Sequence, residues 1–247
     1  DEDTLLIHTT LVPYLETTGE QKTKPTQHSV KALREVGLEP DIVVGRSEDA
    51  LDDSVLEKIS LFCDVPEEAV ISDPTVDHVY RIPLIFDEQN VGKIVADRMN
   101  LPDRESGNGM KDWKERVENL ANSSIARVAI CGKYTDMDDS YASIEEALKH
   151  SGAELGGSIE IDYLGTEEID PSIVDRYDGV IIPGGFGSRG VEGKIDVIEY
   201  CRENDKPILG LCYGMQLMVV EFARNVLGLD AASEEFEGGE EHMVVAE

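Results

Sequence analysis

The fold of this chain is decided by the stretch Pro207-Ile208-Leu209-Gly210-Leu211-Cys212-Tyr213-Gly214-Met215-Gln216. An apolar run ends in Gly-x-Cys-x-Gly and passes into a helical pattern, which predicts a buried strand, a tight turn and a helix. Gly210 and Gly214 would let the two backbones approach closely around the turn. Cys212 would then lie at the helix N-terminus, where the helix dipole and unpaired N–H groups favour the reactive thiolate. The alternative is a structural cysteine on a core strand, since free cysteine is among the most buried residue types.

A second apolar run ends in a glycine-rich turn, Val180-Ile181-Ile182-Pro183-Gly184-Gly185-Phe186-Gly187. Adjacent strands of a parallel sheet bring their carboxyl ends to one edge, where α/β sites form. A Gly-Gly turn at that edge can aim backbone N–H groups at a developing oxyanion, with Gly185 as one donor and Tyr213 as the second. An ordinary turn is the alternative, but two such turns after sequential strands favour a catalytic site.

The composition indicates a globular chain with a very acidic surface. Its 247 residues, 40% of them hydrophobic, suffice for one large domain or two ordinary ones. The 52 acidic residues against 22 basic ones give a net charge of −30, whereas a nucleic-acid binder needs the opposite sign. The acidic residues are spread along ordered patterns, so we interpret them as the kind of surface that halophilic proteins carry.

Sequence features related to location favour a cytoplasmic protein without a membrane partner. No apolar run approaches the roughly 18 residues that a membrane span needs. The first residues, Asp-Glu-Asp-Thr, lack the basic and apolar regions of a signal peptide. The four cysteines, at positions 63, 131, 201 and 212, show no metal-like spacing, which favours a reduced setting.

A lysine-containing block near the N-terminus, Lys22-Thr23-Lys24-Pro25-Thr26-Gln27, predicts a phosphate site. Its lysines and threonines place cations and hydroxyls on one loop, and such an array matches a triphosphate. The following residues, 27–38, predict a helix closed by Gly37, so the loop leads into a helix N-terminus, the usual place for phosphate. The alternative is a solvated turn before a helix. Lysine is scarce in this acidic chain, which favours binding.

The alternation of strands and helices predicts an α/β fold made of two parallel-sheet units. A polar, turn-rich stretch begins at residue 102 and leads into a helix over 110–120, and we place an interdomain linker at 101–124. The first domain would then span 1–100 and the second 125–247. Strands are predicted over 4–8, 40–46, 69–71, 126–134 with its loop, 158–164, 179–183 and 207–211. Further helices are predicted over 54–62, after 79–83, and over 140–150, 191–203 and 214–227, with Gly152 closing the third of these.

Several of these motifs together resemble a known family. Pro183–Gly187, Gly210–Gln216 and Glu235-Phe236 resemble a class I glutamine amidotransferase. The block Gly19–Val30, which reads GEQKTKPTQHSV, narrows the resemblance to the CTP synthase family, and the likeness runs through essentially the whole chain. It implies that the first domain is the C-terminal part of an amidoligase. The second domain would be the N-terminal half of a glutaminase with the doubly wound fold of class I amidotransferases.

The resemblance also implies an activity and a set of site residues. Cys212 would form a glutamyl thioester with glutamine and release ammonia, which aminates 4-phosphorylated UTP to give CTP. Lys58 has the alternative of being an exposed helix lysine, and Val76 that of being a core residue. The glutamine and oxyanion residues would be Gly185, Phe186, Tyr213, Gly214, Gln216 and Glu235, the last one position closer to Cys212 than the family pattern has it. The UTP and CTP residues would be Lys22, Thr23, Lys24, Thr26, Gln27 and Lys58, and the ATP residues Arg46 and Val76.

The resemblance implies further ligands and partners. ATP would be a substrate, GTP an allosteric activator near Phe186 and Arg189, and CTP a feedback inhibitor. Mg²⁺ would take its ligands from outside this chain, so no metal ligand is assigned within it. The protein would be a cytoplasmic homotetramer that can also form filaments.

Two expected motifs are missing. No G-x-x-x-x-G-K-[ST] phosphate loop occurs, and His242 is followed two residues later by Val244 instead of the glutamate of the family's His-x-Glu pair. We read His242 as the start of a strand and expect further residues to flank this chain in a longer enzyme. The alternatives are a stand-alone hydrolase with the same cysteine elbow, or a non-catalytic assembly or regulatory module.

Overall fold

The structure is a computed structural model that describes residues 4–102, 108–132, 141–233 and 242–245, with the backbone alone at 242 and 243. Contacts divide the chain into two compact units, Asp1–Val117 and Glu118–Glu247. Each unit contains a parallel sheet with helices packed against it, which confirms the predicted α/β class. The domain limits at residues 100 and 125 remain predictions.

The first unit is built on a three-stranded parallel sheet in the order β1-β4-β5, with a short antiparallel pair, β2-β3, inserted after the first strand. Its described elements are β1 (Ile7–Leu11), β2 (Tyr14–Leu15), β3 (Glu20–Gln21), α1 (Lys24–Glu35), β4 (Ile42–Ser47), α2 (Asp53–Cys63), β5 (Val70–Pro74), α3 (Ile82–Glu88), α4 (Val91–Arg98) and α5 (Gly109–Asn119), whose last two residues belong to the second unit. Short 3-10 helices span Glu67–Ala69 and Val79–Arg81.

Helices cover both faces of this sheet, and the central strand β4 is accordingly buried along nearly its whole length. Val43 packs with Val30 and Ile59 of α1 and α2 on one face. Ile42 and Val44 point the other way and pack toward α3 and α4. The carboxyl ends of β4 and β5 therefore emerge together at one sheet edge.

The boundaries of α1 and β1 each differ from the predictions by three residues. Helix α1 begins at Lys24, three residues early, because Pro25 is preorganised for a first helical turn. Strand β1 spans Ile7–Leu11 instead of 4–8. The Asp41 carboxylate, rather than a strand, accepts the Leu6 N–H at 2.8 Å, so the ladder starts one residue later.

The second unit is built on a four-stranded parallel sheet in the order β7-β6-β8-β9, with a further parallel pair, β10-β11. Apolar clusters line both faces of the larger sheet. The described elements are β6 (Ser124–Gly132), α6 (Ala142–Leu155), β7 (Ser158–Gly165), β8 (Gly179–Ile182), α7 (Val191–Glu203), β9 (Ile208–Gly210), α8 (Tyr213–Asn225), β10 (Ala231–Ser233) and β11 (His242–Val245). A 3-10 helix spans Pro171–Arg176.

Two predictions for this unit are wrong. The strand before the cysteine is not buried, because β9 is the edge of the described sheet and Leu209 is 53% exposed. Helix α6 does not end near Gly152 but continues to Leu155, and Gly156 caps it with a φ of +92°. Gly152 serves close packing instead, since a Cβ there would lie 2.6 Å from the Gly157 carbonyl oxygen.

Candidate active site

Cys212 occupies the turn between β9 and α8. It is the N-cap residue of α8, with φ of +51° and ψ of −109°, a combination that residues with a side chain rarely adopt. Such strain costs on the order of 1–3 kcal/mol and is concentrated at functional sites. Cys212 is exposed, whereas Cys63, Cys131 and Cys201 are buried. The structure therefore presents this thiol at a helix N-terminus, as the sequence predicts.

The glycines on either side of Cys212 are required by close backbone contacts. A Cβ at Gly214 would lie 2.1 Å from the carbonyl oxygen of Ile182, at the end of β8. A Cβ at Gly210 would lie 2.7 Å from the backbone nitrogen of Met215. Real Cβ atoms do not approach other atoms this closely, so both positions need glycine for α8 to start directly above the sheet.

The structure brings the Gly-Gly turn to the cysteine. Strands β8 and β9 are adjacent and parallel, and the Leu211 N–H donates to the Ile182 carbonyl at 2.9 Å. A Cβ built at Gly184 would lie 3.5 Å from the Cys212 Cβ, and one at Gly185 would lie 3.8 Å from Tyr213 Cδ1. The two turns thus meet at the carboxyl edge of the sheet, while the oxyanion role of Gly185 and of the Tyr213 N–H remains a prediction.

The Tyr213 side chain ties the two turns together. It is 1% exposed, and its hydroxyl donates to the Gly187 carbonyl at 2.9 Å. Lys194 on α7 is 3% exposed, and its Nζ lies 5.5 Å from the centre of the Tyr213 ring, within the range of a cation–π contact. Sequence reasoning missed Lys194, although its position three residues after the buried Val191 places it on the apolar face of α7.

The other residues predicted for this site differ in exposure and in their hydrogen-bond and ion-pair partners. Gln216 accepts a hydrogen bond from the Ser233 hydroxyl at 2.7 Å. Phe186 is 66% exposed, and Arg189 on the same loop pairs with Glu167. Glu235 lies outside the described residues. Strand β11 begins at His242, as predicted.

The other three thiols are held in the protonated, unreactive form. Burial raises the pKa of Cys131 to about 12, with the neighbouring Cys201 contributing. Burial also raises the pKa of Cys201 to about 11 and shifts that of Cys63 upward. Because the thiolate is the nucleophile, these cysteines are poor candidates for chemistry.

In the first unit, Lys22 contacts a neighbouring carboxylate, and Lys58 is an exposed residue of α2. The Lys22 Nζ lies 2.5 Å from Glu20 Oε2. The hydrogen bond and charge of Lys22 hold the pKa of Glu20 below its usual value, and the charge of Lys58 contributes in the same direction. Lys22 is therefore paired with a carboxylate of its own segment, while a common ligand for Lys22 and Lys58 remains a prediction.

The other residues of the lysine block lie at the start of α1. Thr23 is the N-cap residue and accepts a hydrogen bond from Gln27 Nε2 at 3.0 Å. Lys24, in the first turn, is exposed. Thr26 is fully buried, and its hydroxyl donates to the Leu11 carbonyl at 3.4 Å. Its hydroxyl is thus engaged within this unit, and its role in binding remains a prediction.

The two predicted ATP residues lie at the carboxyl edge of neighbouring strands. Arg46 of β4 is paired in register with Asp73 of β5, and Arg46 Nη1 donates to the Asp73 carbonyl at 3.1 Å. Val76 is half-buried just beyond the end of β5. Asp73 Oδ1 is buried without a hydrogen-bond partner, a feature with no signal in the sequence.

The residues that the structure describes contain neither a metal-binding cluster nor a membrane-spanning helix. Within the described ranges, no group of three or more His, Cys, Asp or Glu side chains is arranged to hold a metal ion. None of the described helices combines the length and apolarity needed to cross a bilayer.

Two family models match the chain, one described as CTP synthase N-terminus over residues 1–101 and one as glutamine amidotransferase class-I over residues 136–247. A CTP synthase from Archaeoglobus fulgidus is 49% identical over 251 residues, which cover 99% of this chain and 46% of that protein. A CTP synthase from Natronomonas pharaonis is 48% identical over 254 residues, covering 99% and 45%. A solved Trypanosoma brucei CTPS glutaminase domain with bound acivicin is 38% identical, with a TM-score of 0.44, covering 47% of each chain. The chain spans about half the length of the curated relatives that it matches.

Proposed function

Because this chain belongs to the CTP synthase family, we propose that it is the central portion of an enzyme that makes CTP from UTP, ATP and glutamine. One observation carries this proposal. The exposed Cys212 is held in a strained backbone conformation at the N-terminus of α8, beside a glycine turn at the carboxyl edge of the sheet. A structural cysteine needs neither the exposure nor the strain.

In the glutaminase reaction, the Cys212 thiolate attacks the side-chain amide carbon of glutamine. The amide oxygen becomes an oxyanion, to which the N–H groups of Gly185 and Tyr213 donate. The C–N bond then breaks, ammonia leaves after taking up a proton, and a glutamyl thioester remains for water to hydrolyse. The proton donor for this step is not assigned among the described residues.

In the amidoligase reaction, ATP transfers its γ-phosphoryl group to O4 of UTP. Ammonia adds at C4, and phosphate and a proton leave, giving CTP. Lys22 and Lys58 would neutralise the UTP triphosphate. Lys22 already pairs with the carboxylate of Glu20, and the charge of Lys58 lowers the pKa of that carboxylate. Arg46 and Val76 would contact ATP at the carboxyl edge of β4 and β5.

Regulation and assembly belong to the same proposal. GTP would activate the glutaminase through Phe186 and Arg189, which are exposed on the loop after the Gly-Gly turn. CTP would inhibit by occupying the UTP residues, and the enzyme would be a cytoplasmic homotetramer that can form filaments. Mg²⁺ would be bound by residues other than those described, so no step is assigned to it in this chain. The acidic surface would adapt the protein to high salt.

The test is Cys212→Ala in the full-length enzyme, assayed once with glutamine and once with ammonium chloride at a pH that supplies NH₃. Glutamine-dependent CTP formation should be lost, while ammonia-dependent formation stays largely intact because free ammonia needs no thioester step. Cys63→Ala, which removes a buried thiol from the first unit, is the control and should retain both activities. Loss of both activities in a Cys212→Ala protein that remains folded by circular dichroism would refute the proposal.

A further inference from the structure

Gln21 joins the lysine block to the N-terminus of α2. Its Nε2 donates to the Ala50 carbonyl at 2.9 Å, and its Oε1 accepts the backbone N–H of Asp52 at 3.0 Å. One side-chain amide thus satisfies a backbone acceptor and a backbone donor of the same short segment, using both of its polar groups. Asp52 is the N-cap residue of α2, so this contact fixes the start of the helix.

Gln21 connects two segments that each carry a lysine of the predicted UTP site. Gln21 directly precedes Lys22 in the chain. Lys58 lies in the second turn of α2, about 9 Å along the helix from Asp52 at 1.5 Å per residue. Lys22 contacts the Glu20 carboxylate, with its Nζ 2.5 Å from Glu20 Oε2, and the charge of Lys58 also lowers the pKa of Glu20 without an ion pair between them. The Gln21 amide is therefore placed to set the separation of the two ammonium groups.

The segment that Gln21 holds is itself attached to the sheet. The Leu51 N–H donates to the Ser72 hydroxyl at 2.9 Å, and Leu51 is only 7% exposed. The Ser47 hydroxyl donates to the Asp49 carbonyl at 2.5 Å. Segment 49–52 is thus held against the sheet by hydrogen bonds, and Gln21 connects the lysine block to this segment.

We propose that Gln21 is a positioning residue for nucleotide binding, which holds Lys22 and Lys58 at the spacing at which both reach one polyphosphate. This inference rests on the proposed function, in which these lysines bind UTP. The amide needs no contact with the ligand. Its effect is preorganisation, because cations that are already placed lose less freedom when the ligand binds.

The test compares two variants of the full-length enzyme by calorimetric titration with UTP. Gln21→Leu has nearly the same size and removes both hydrogen bonds, so the dissociation constant for UTP should rise about three- to tenfold, the effect of one to two neutral hydrogen bonds. Ser60→Ala is the matched control, because it removes the hydrogen bond from Ser60 Oγ to the Val65 carbonyl, 2.7 Å long, near the opposite end of α2. Ser60→Ala should lower the melting temperature but leave the UTP dissociation constant unchanged. Equal UTP binding by the two variants would overturn the proposal.

A double-mutant cycle separates positioning from general stability. If Gln21 acts by placing Lys58 relative to Lys22, then Gln21→Leu should weaken UTP binding less in a Lys58→Ala background than alone. Strictly additive effects would overturn the proposal. Gln21→Asn keeps a neutral amide that is one methylene shorter and reaches the 49–52 segment less well, so it should bind UTP with intermediate strength; this variant keeps the test decisive if the leucine variant folds poorly. If Lys22→Ala and Lys58→Ala both leave UTP binding unchanged, the proposed nucleotide site itself is wrong.

Discussion

Gly214→Ala tests whether the close approach of α8 to β8 is what holds the cysteine turn in place. The added methyl carbon would lie 2.1 Å from the Ile182 carbonyl oxygen, so helix and strand must separate by roughly 1 Å to reach ordinary contact. Overpacking of this kind costs about 1–3 kcal/mol. The same carbonyl accepts the Leu211 N–H at 2.9 Å, and loss of that hydrogen bond adds about 1 kcal/mol. Alanine regains roughly 1 kcal/mol of helix propensity, which leaves a net destabilisation of about 2 kcal/mol.

The assay is urea unfolding followed by circular dichroism, together with the rate at which iodoacetamide alkylates Cys212 in the native protein. The alkylation rate should change as well, because the separation moves the turn that carries the thiol. Gly179→Ala is the matched control in β8, where an added Cβ meets only the Pro207 carbonyl at 3.7 Å and the Pro207 Cβ at 4.0 Å. It should leave alkylation unchanged and should leave stability equal or higher by up to about 1 kcal/mol, the usual gain when alanine replaces glycine in a strand. A Gly214→Ala protein as stable as the Gly179→Ala protein would refute the reasoning.

The remaining predictions concern thiols, nucleotide and salt. In the native protein near pH 8, iodoacetamide should modify Cys212 alone, because the pKa values of Cys131, about 12, and Cys201, about 11, keep both thiols protonated; a second rapidly alkylated site in the mass spectrum would contradict this. From about pH 9 upward the thiols of Cys131 and Cys201 ionise in the unfolded chain but stay protonated in the native protein, so the free energy of unfolding should fall with rising pH, less steeply in Cys131→Val. Lys22→Ala should raise the KM for UTP about ten- to a hundredfold while glutamine hydrolysis without nucleotide stays near normal; an unchanged KM would remove the loop from the site. The melting temperature should rise between low and molar KCl, and a flat profile would refute the halophilic interpretation.

The elements that the sequence predicts well are those whose determinants are local. Helix α7 was expected over 191–203 and spans Val191–Glu203, because Val191, Ile195, Ile198 and Cys201 recur at helical spacing on its buried face. The cysteine turn was equally predictable, since an apolar run, two glycines and a helical pattern occur within ten residues. Local patterns of this kind specify both the element and the position of its reactive side chain.

The features that the sequence did not reveal depend on contacts between distant residues. Leu209 is exposed because β9 lies at the edge of the described sheet. The sequence of a strand does not by itself predict its position in the order of the sheet. Gly152 is a packing glycine only because Gly157 returns against it. The hydrogen bonds of Gln21 join it to residues about thirty positions away in the chain. The residues next to Gln21 therefore contain no pattern that predicts these bonds.

Tyr213 shows how one residue can be predicted for its backbone and missed for its side chain. Its N–H was proposed as an oxyanion donor because it follows the cysteine in a turn. The structure adds that its hydroxyl holds the Gly187 carbonyl and that the buried Lys194 lies against its ring. A developing oxyanion is best stabilised by donors that do not have to reorganise. The same buried side chain therefore fixes the two turns that would supply those donors, which explains why a large aromatic residue is fully enclosed beside an exposed nucleophile.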